Sequence, residues 1–225
     1  MVNRVDRKGE LWIFDMDGTM CDSASLAVPA FVYAHGRMQA SGWPVPDSWS
    51  NGEIVGTFGM THDQIWKTLL GYELEPERQA LADAWILEEE LRGLEQGRME
   101  LFPGVPETLR TLSEQGAELA VASNGQQLYI EGIVRSAGLA DLFCALYSAG
   151  GRHTATKVEL VRQLVDEVKP QRAVMVGDRR SDVEAGRQNG LPVIGCAFGF
   201  AAADELEHAD WHVASFAKML EISPW

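Results

Sequence analysis

Short apolar runs alternate with amphipathic segments along most of this chain, and that alternation constrains its fold more than any other feature. Leu11–Phe14, Glu118–Ser123, Phe143–Tyr147, Ala173–Val176 and Pro192–Ala197 are runs rich in apolar residues, bounded by Gly, Asp or Asn. Such runs read as buried strands. Trp211–Val213 is a weaker run of the same kind. After residue 100, helical patterns separate them: about Pro106–Gln115, Gln127–Ala137, Lys157–Val168 and Asp182–Asn189. Gly116, Gly138 and Gly190 follow three of these and Pro170 follows the other, which are expected helix stops. Strand and helix in alternation predict an α/β fold, a parallel sheet covered on both faces.

Ser23 to Gly97 breaks the rhythm. Its patterns are helical: Pro29–Ala40, His62–Leu70 and Glu77–Gln96, with no convincing strand run. Thr61 and Gln64 have capping-box spacing for the second helix, and Pro76 suits the first turn of the third. We therefore expect residues 22–98 to form a small helical domain inserted into a core made of residues 1–21 and 99–225. Trp43, Trp49, Trp66 and Trp85 fall in this segment, and Trp66 and Trp85 sit on helical faces suited to its core. His35 reads as a surface helix residue.

No apolar run approaches the roughly 20 residues of a membrane span. Met1–Glu10 is polar and holds no signal-peptide segment. The three cysteines, Cys21, Cys144 and Cys196, are widely separated. They suit a reducing cytoplasm and read as small, buried or half-buried residues. The formal net charge of −14 opposes binding to nucleic acid polymers. A small anionic ligand would need a concentrated cationic or metal-binding spot. The expected partner is thus a small molecule, with no membrane, and the chain is expected to be a monomer or homodimer.

Open parallel sheets carry their sites at the carboxyl ends of strands. Asp15 and Asp17 follow the first run, Ser123 and Asn124 end the second, and Asp178 follows Ala173–Val176. Thr156-Lys157-Val158-Glu159 and Ser181-Asp182-Val183-Glu184 both match a capping box, which would put Lys157 and Asp182 at first helical positions on the same rim. A lysine there opposes the helix dipole, which argues for an ion-paired lysine with Asp182 as partner. Asp15 and Asp178 are hard oxygen ligands suited to Mg2+. Alone, each element is also what a turn, an exposed lysine or an ordinary capped helix would show; in this order, at these places, they form a set.

Asp15-Met16-Asp17-Gly18-Thr19, the later Ser123, Lys157 and Gly177-Asp178-x-x-x-Asp182, and the helical insertion together resemble the haloacid dehalogenase superfamily, in particular its phosphoglycolate phosphatase and β-phosphoglucomutase branch. The resemblance implies a Rossmann-like parallel sheet with a helical cap. It also implies Mg2+-dependent hydrolysis of a small phosphomonoester such as phosphoglycolate, a sugar phosphate or a nucleotide. In that scheme Asp15 is the nucleophile that becomes phospho-aspartate, and Asp17 is the general acid and then base. Mg2+ is held by Asp15, the Asp17 carbonyl and Asp178. Gly18, Thr19, Ser123, Asn124 and Lys157 bind phosphate, with Asp182 a further acid nearby. An acid at position 17 favours phosphate esters over dehalogenation.

Gly56–His62 is the candidate cap loop over the site, with Thr57, Phe58, Met60 and His62 as specificity residues; a plain helix connection is the alternative. Gly195–Phe200 resembles a rim loop that supports the site without catalysing. Two other activities fit the same residues: a phosphomutase of the β-phosphoglucomutase kind, and a regulatory protein that keeps the fold without turnover.

Overall fold

A computed structural model describes residues 6–202 and 204–225. The chain opens with strand β1 (Glu10–Phe14) and the two-residue β2 (Cys21–Asp22). Four helices follow: α1 (Ala24–Ala40), α2 (Asn51–Val55), α3 (His62–Leu70) and α4 (Pro76–Glu95). After β3 (Glu100–Leu101) the order is α5 (Val105–Glu114), β4 (Glu118–Ser123), α6 (Gln127–Ser136) and β5 (Phe143–Ser148). Then come α7 (Ala149–Arg152), α8 (Lys157–Val168), β6 (Arg172–Gly177), α9 (Arg180–Gln188), β7 (Val193–Cys196) and β8 (Trp211–Val213).

Six strands form one parallel sheet of order β5–β4–β1–β6–β7–β8. The two-residue period of a strand divides β1 between two cores. Trp12 and Phe14 pack with Leu109, Leu112, Ile130 and Ile133 from α5 and α6. Leu11 and Ile13 pack with Leu160 and Leu164 from α8. Both faces are therefore covered, and every β1 residue is buried. Burial of Leu11, Ile13 and Phe14 contributes roughly 2 kcal/mol each. The chain runs outward from β1 through β4 to β5 and then crosses back to β6, so the order reverses beside β1. The crevice at that reversal is where such sheets accept ligands.

The insertion buries a cluster of its own. Phe31 and Met38 of α1, Ile65 and Trp66 of α3, and Trp85 and Ile86 of α4 belong to it. The Trp66 ring lies 5.6 Å from Phe31 and 6.3 Å from Trp49. The insertion begins and ends at the antiparallel pair β2–β3, where Cys21 faces Leu101 and Asp22 faces Glu100. This pair was not expected, since two residues are too few to leave a pattern.

Other differences have local causes. α1 starts at Ala24, five residues before Pro29, and carries that proline in its second turn. The unexpected α2 is held by a capping box in which the Glu53 amide donates to Ser50 Oγ at 3.2 Å and the Ser50 amide to Glu53 Oε2 at 2.8 Å. α9 begins at Arg180, so Ser181 is not its cap and Asp182 lies one turn inside; Asp182 Oδ2 accepts from the Arg179 amide at 2.9 Å. The short α7 was also missed. His35 is buried, its Nε2 2.7 Å from Pro46 O and its ring edge-on to Trp49. Cys144 is exposed, because it sits on the outermost strand of the sheet. No helix among the described residues is long and apolar enough to cross a membrane.

Candidate active site

The carboxyl ends of β1, β4 and β6 bring Asp15, Ser123 and Asp178 to one rim, and α8 and α9 add Lys157 and Asp182. Lys157 is the first residue of α8, behind Thr156, whose hydroxyl accepts from the Glu159 amide at 3.2 Å. Its ammonium is buried, 2.6 Å from Asp15 Oδ1 and 2.5 Å from Asp182 Oδ1. Burial alone would push Lys157 down, but Asp15 and Asp182 more than offset it and hold the group above the ordinary lysine value. This is why a lysine tolerates the unfavourable end of the helix.

Asp15, Asp178 and Asp182 each offer a carboxylate oxygen, and these oxygens lie within 4.8 Å of one another. All three residues are buried. Burial pushes Asp15 well above the usual carboxylate value; Asp182 adds to this and Lys157 opposes it. Asp178 is pushed up to about 7, first by burial and then by Asp182, against hydrogen bonds from the Phe200 amide and Thr19. So much buried negative charge against one lysine invites a cation. An all-oxygen donor set of this kind fits Mg2+.

Asp17 points elsewhere. Its Oδ1 accepts from the Tyr129 hydroxyl at 2.7 Å. Burial raises its pKa, and Tyr129 pulls it partly back. The two acids of the motif thus occupy unlike environments: Asp15 is clamped by Lys157, whereas Asp17 faces the pocket beside a phenol.

Gly18 has φ of 77°, and a Cβ there would lie 2.3 Å from Asp178 Oδ2. Only glycine fits both the left-handed backbone and the approach. The Thr19 hydroxyl donates to Asp178 Oδ1 at 3.0 Å, so its side chain holds an acid. Ser123 is buried, and its Oγ accepts from the Gly125 amide at 3.0 Å, leaving its proton free to donate. The Asn124 side-chain Nδ2 donates to Gly59 O in the insertion at 2.9 Å.

The insertion covers a pocket over Asp15 and Asp17, with a cavity volume of about 60 Å³. Phe58, Met60 and His62 line it. Phe58 packs edge-on to Phe200, 5.2 Å between ring centres. Thr57 does not line it: its hydroxyl is turned back to Ile54 O at 2.7 Å. His62 Nδ1 lies 2.7 Å from Asp83 Oδ1, which also accepts from Trp66 Nε1 at 2.6 Å. In the rim loop, the Phe200 amide donates to Asp178 Oδ2 at 2.7 Å and Phe200 O accepts from Arg179 at 2.9 Å.

Tyr129, Asp83 and Glu90 were missed in the sequence. Tyr129 follows the Ser123 strand end by six residues and could have been found by asking which polar-tipped side chain opens the next helix. Asp83 and Glu90 lie in the long α4 among other acids, and nothing local marks them. Glu90 lines the pocket, and burial, with Asp17 and Asp83 adding to it, pushes its carboxyl well above the usual value.

The model of haloacid dehalogenase-like hydrolases matches residues 10–190. Tyrosine-protein kinase PtkA of Mycobacterium tuberculosis is 28% identical over 217 residues, covering 94% of this chain and 70% of that protein. The 5'-nucleotidase of Pseudomonas aeruginosa is 28% identical over 226 residues, covering 93% and 94%. The phosphoglycolate phosphatase of Synechococcus elongatus is 28% identical over 219 residues, again covering 93% and 94%. Among solved structures, a predicted phosphatase from Clostridium acetobutylicum superposes with a TM-score of 0.80 at 23% identity, covering 95% of this chain and 99% of that one. Sheet order, the acids at its strand ends and the family match agree, and the chain belongs to the haloacid dehalogenase-like hydrolases.

Proposed function

We propose that the protein is a Mg2+-dependent phosphomonoesterase that works through a phospho-aspartate on Asp15. One observation carries this best: two buried carboxyls two positions apart have unlike partners, Asp15 the Lys157 ammonium, which favours its ionised form, and Asp17 only the neutral Tyr129 hydroxyl, which offsets just part of the burial that favours its proton. A nucleophile must be ionised and a general acid must hold a proton, and unlike surroundings let both exist at one pH.

Asp15, the backbone carbonyl of Asp17 and Asp178 would hold the metal. When bound it would supply charge to offset the repulsion between a carboxylate and a dianionic ester. An Asp15 oxygen attacks phosphorus while the alcohol departs with the proton of Asp17. Asp17 then takes a proton from water, whose oxygen attacks the phosphoryl group and frees Asp15 and inorganic phosphate. Lys157 and the Ser123 hydroxyl stabilise charge on the phosphoryl oxygens. Asp182 positions Lys157. We take helices α1–α4 as a cap that shields the phospho-aspartate and chooses the alcohol.

The test is phosphate release from p-nitrophenyl phosphate with and without Mg2+. Chelation should abolish it and added Mg2+ restore it. Asp15→Asn should remove activity while the circular dichroism spectrum is kept; full activity in that variant rejects the nucleophile. Release of phosphate equal to ester consumed separates hydrolysis from a phosphomutase.

A further inference from the structure

Glu90 stands on α4 in the wall of the pocket above Asp15 and Asp17. It is 7% exposed. Among the described residues no hydrogen bond or cation meets its carboxyl, and the charged groups that act on it, Asp17 and Asp83, are both acids. The pocket it lines is partly apolar, with Ala27, Phe31, Ile65 and Ile86 alongside the hydroxyls of Ser23 and Tyr129. A carboxyl so largely buried and without a protein partner gains from a ligand donor that reaches it.

Among the described residues the pocket also offers a second anion no unpaired cationic side chain. No arginine among the described residues lines it, and its lysine is already shared between Asp15 and Asp182. His62 is offset by Asp83 at 2.7 Å. We propose that Glu90 is a specificity-determining residue that accepts a hydrogen bond from a hydroxyl or ammonium on the alcohol portion of the substrate, and that esters placing an anion there are rejected. This rests on the phosphomonoesterase proposed above. It makes phosphoglycolate a poor substrate, although relatives carry that name. Attraction to one partner and repulsion of another together set such a preference.

Three two-carbon esters test it: 2-hydroxyethyl phosphate, 2-aminoethyl phosphate and 2-phosphoglycolate differ only in their terminal hydroxyl, ammonium or carboxylate. Each is measured as a competitor of p-nitrophenyl phosphate hydrolysis, which reads binding whether or not it is turned over. With the wild-type protein, the hydroxyl or ammonium ester should compete at least about ten-fold more tightly than phosphoglycolate, and the tighter of the two names the donor. Glu90→Gln should shrink that ratio of inhibition constants to within about three-fold. Glu90→Leu should shrink it as well and, by removing an unpaired buried carboxyl, should melt no lower than wild type; it stands in if the Gln variant does not fold.

Equal or tighter competition by phosphoglycolate overturns the proposal. So does absence of competition by both donor esters, or a ratio unchanged in the variants. If the wild-type protein hydrolyses no p-nitrophenyl phosphate with Mg2+, the phosphomonoesterase itself fails, and this outcome is separate from the others.

Discussion

The Tyr129 hydroxyl donates to Asp17 Oδ1 across 2.7 Å, joining the helix after one strand end to the motif after another. It fixes which way the proposed acid points. A hydrogen bond between neutral partners contributes about 0.5–1.5 kcal/mol. Tyr129→Phe should therefore lower kcat by up to about ten-fold on an alkyl phosphate. The loss should be smaller on p-nitrophenyl phosphate, whose leaving group departs without a proton. Steady-state kinetics on both esters checks this, and equal losses would argue against an acid at Asp17.

Among the described residues, Lys157 is the cation that meets both buried acids, Asp15 and Asp182. Lys157→Met strands Asp15 and Asp182, and breaking a buried pair this way costs about 3–5 kcal/mol. Urea unfolding without divalent cations should register that loss. Adding Asp182→Asn should recover part of it, because one stranded charge is gone.

Gly18→Ala places a Cβ against Asp178 at a positive φ. Strained backbone of this kind costs about 1–3 kcal/mol, and relief would push Asp178 out of place. The Mg2+ concentration for half-maximal activity should rise, together with a lower melting temperature. A titration of activity against Mg2+ measures the first effect.

Glu10 predicts a pH dependence of stability. Burial pushes its carboxyl up, but hydrogen bonds from Trp12, Trp225 and Arg7, with the Arg7 charge, outweigh burial and hold it below the ordinary value of 4.5. The folded chain therefore binds fewer protons there than the unfolded chain. The resulting stability is complete above the unfolded value and is lost as pH falls through the lowered folded one. Glu10→Gln should reduce stability at neutral pH and flatten the acid limb of the melting curve below about pH 5.

The sheet was legible because strands buried on both faces leave continuous apolar runs, as β1 and β4 do. The acids were legible because they sit where those runs stop. What could not be read is what each polar group is paired with. Thr19 was expected to touch phosphate, yet its partner Asp178 lies 159 residues away. Thr57 was expected in the pocket, yet its hydroxyl prefers a carbonyl three residues back. The start of α9 was misplaced because Asp182 reaches back to the Arg179 amide, and no spacing rule separates that cap from one at Ser181. Glu90 and Asp83 matter only because α4 docks over the sheet.

The ladder of β2 and β3 has a mechanical consequence. Both chain segments that enter and leave the insertion are joined to each other through Cys21–Leu101 and Asp22–Glu100. Twisting of the helices about either connection alone would break that ladder. Any movement that keeps it intact must pivot about one short axis, like a lid on a single pin. Away from that ladder, the Asn124–Gly59 and Gln126–Asp83 hydrogen bonds are further ties that such a movement would have to break.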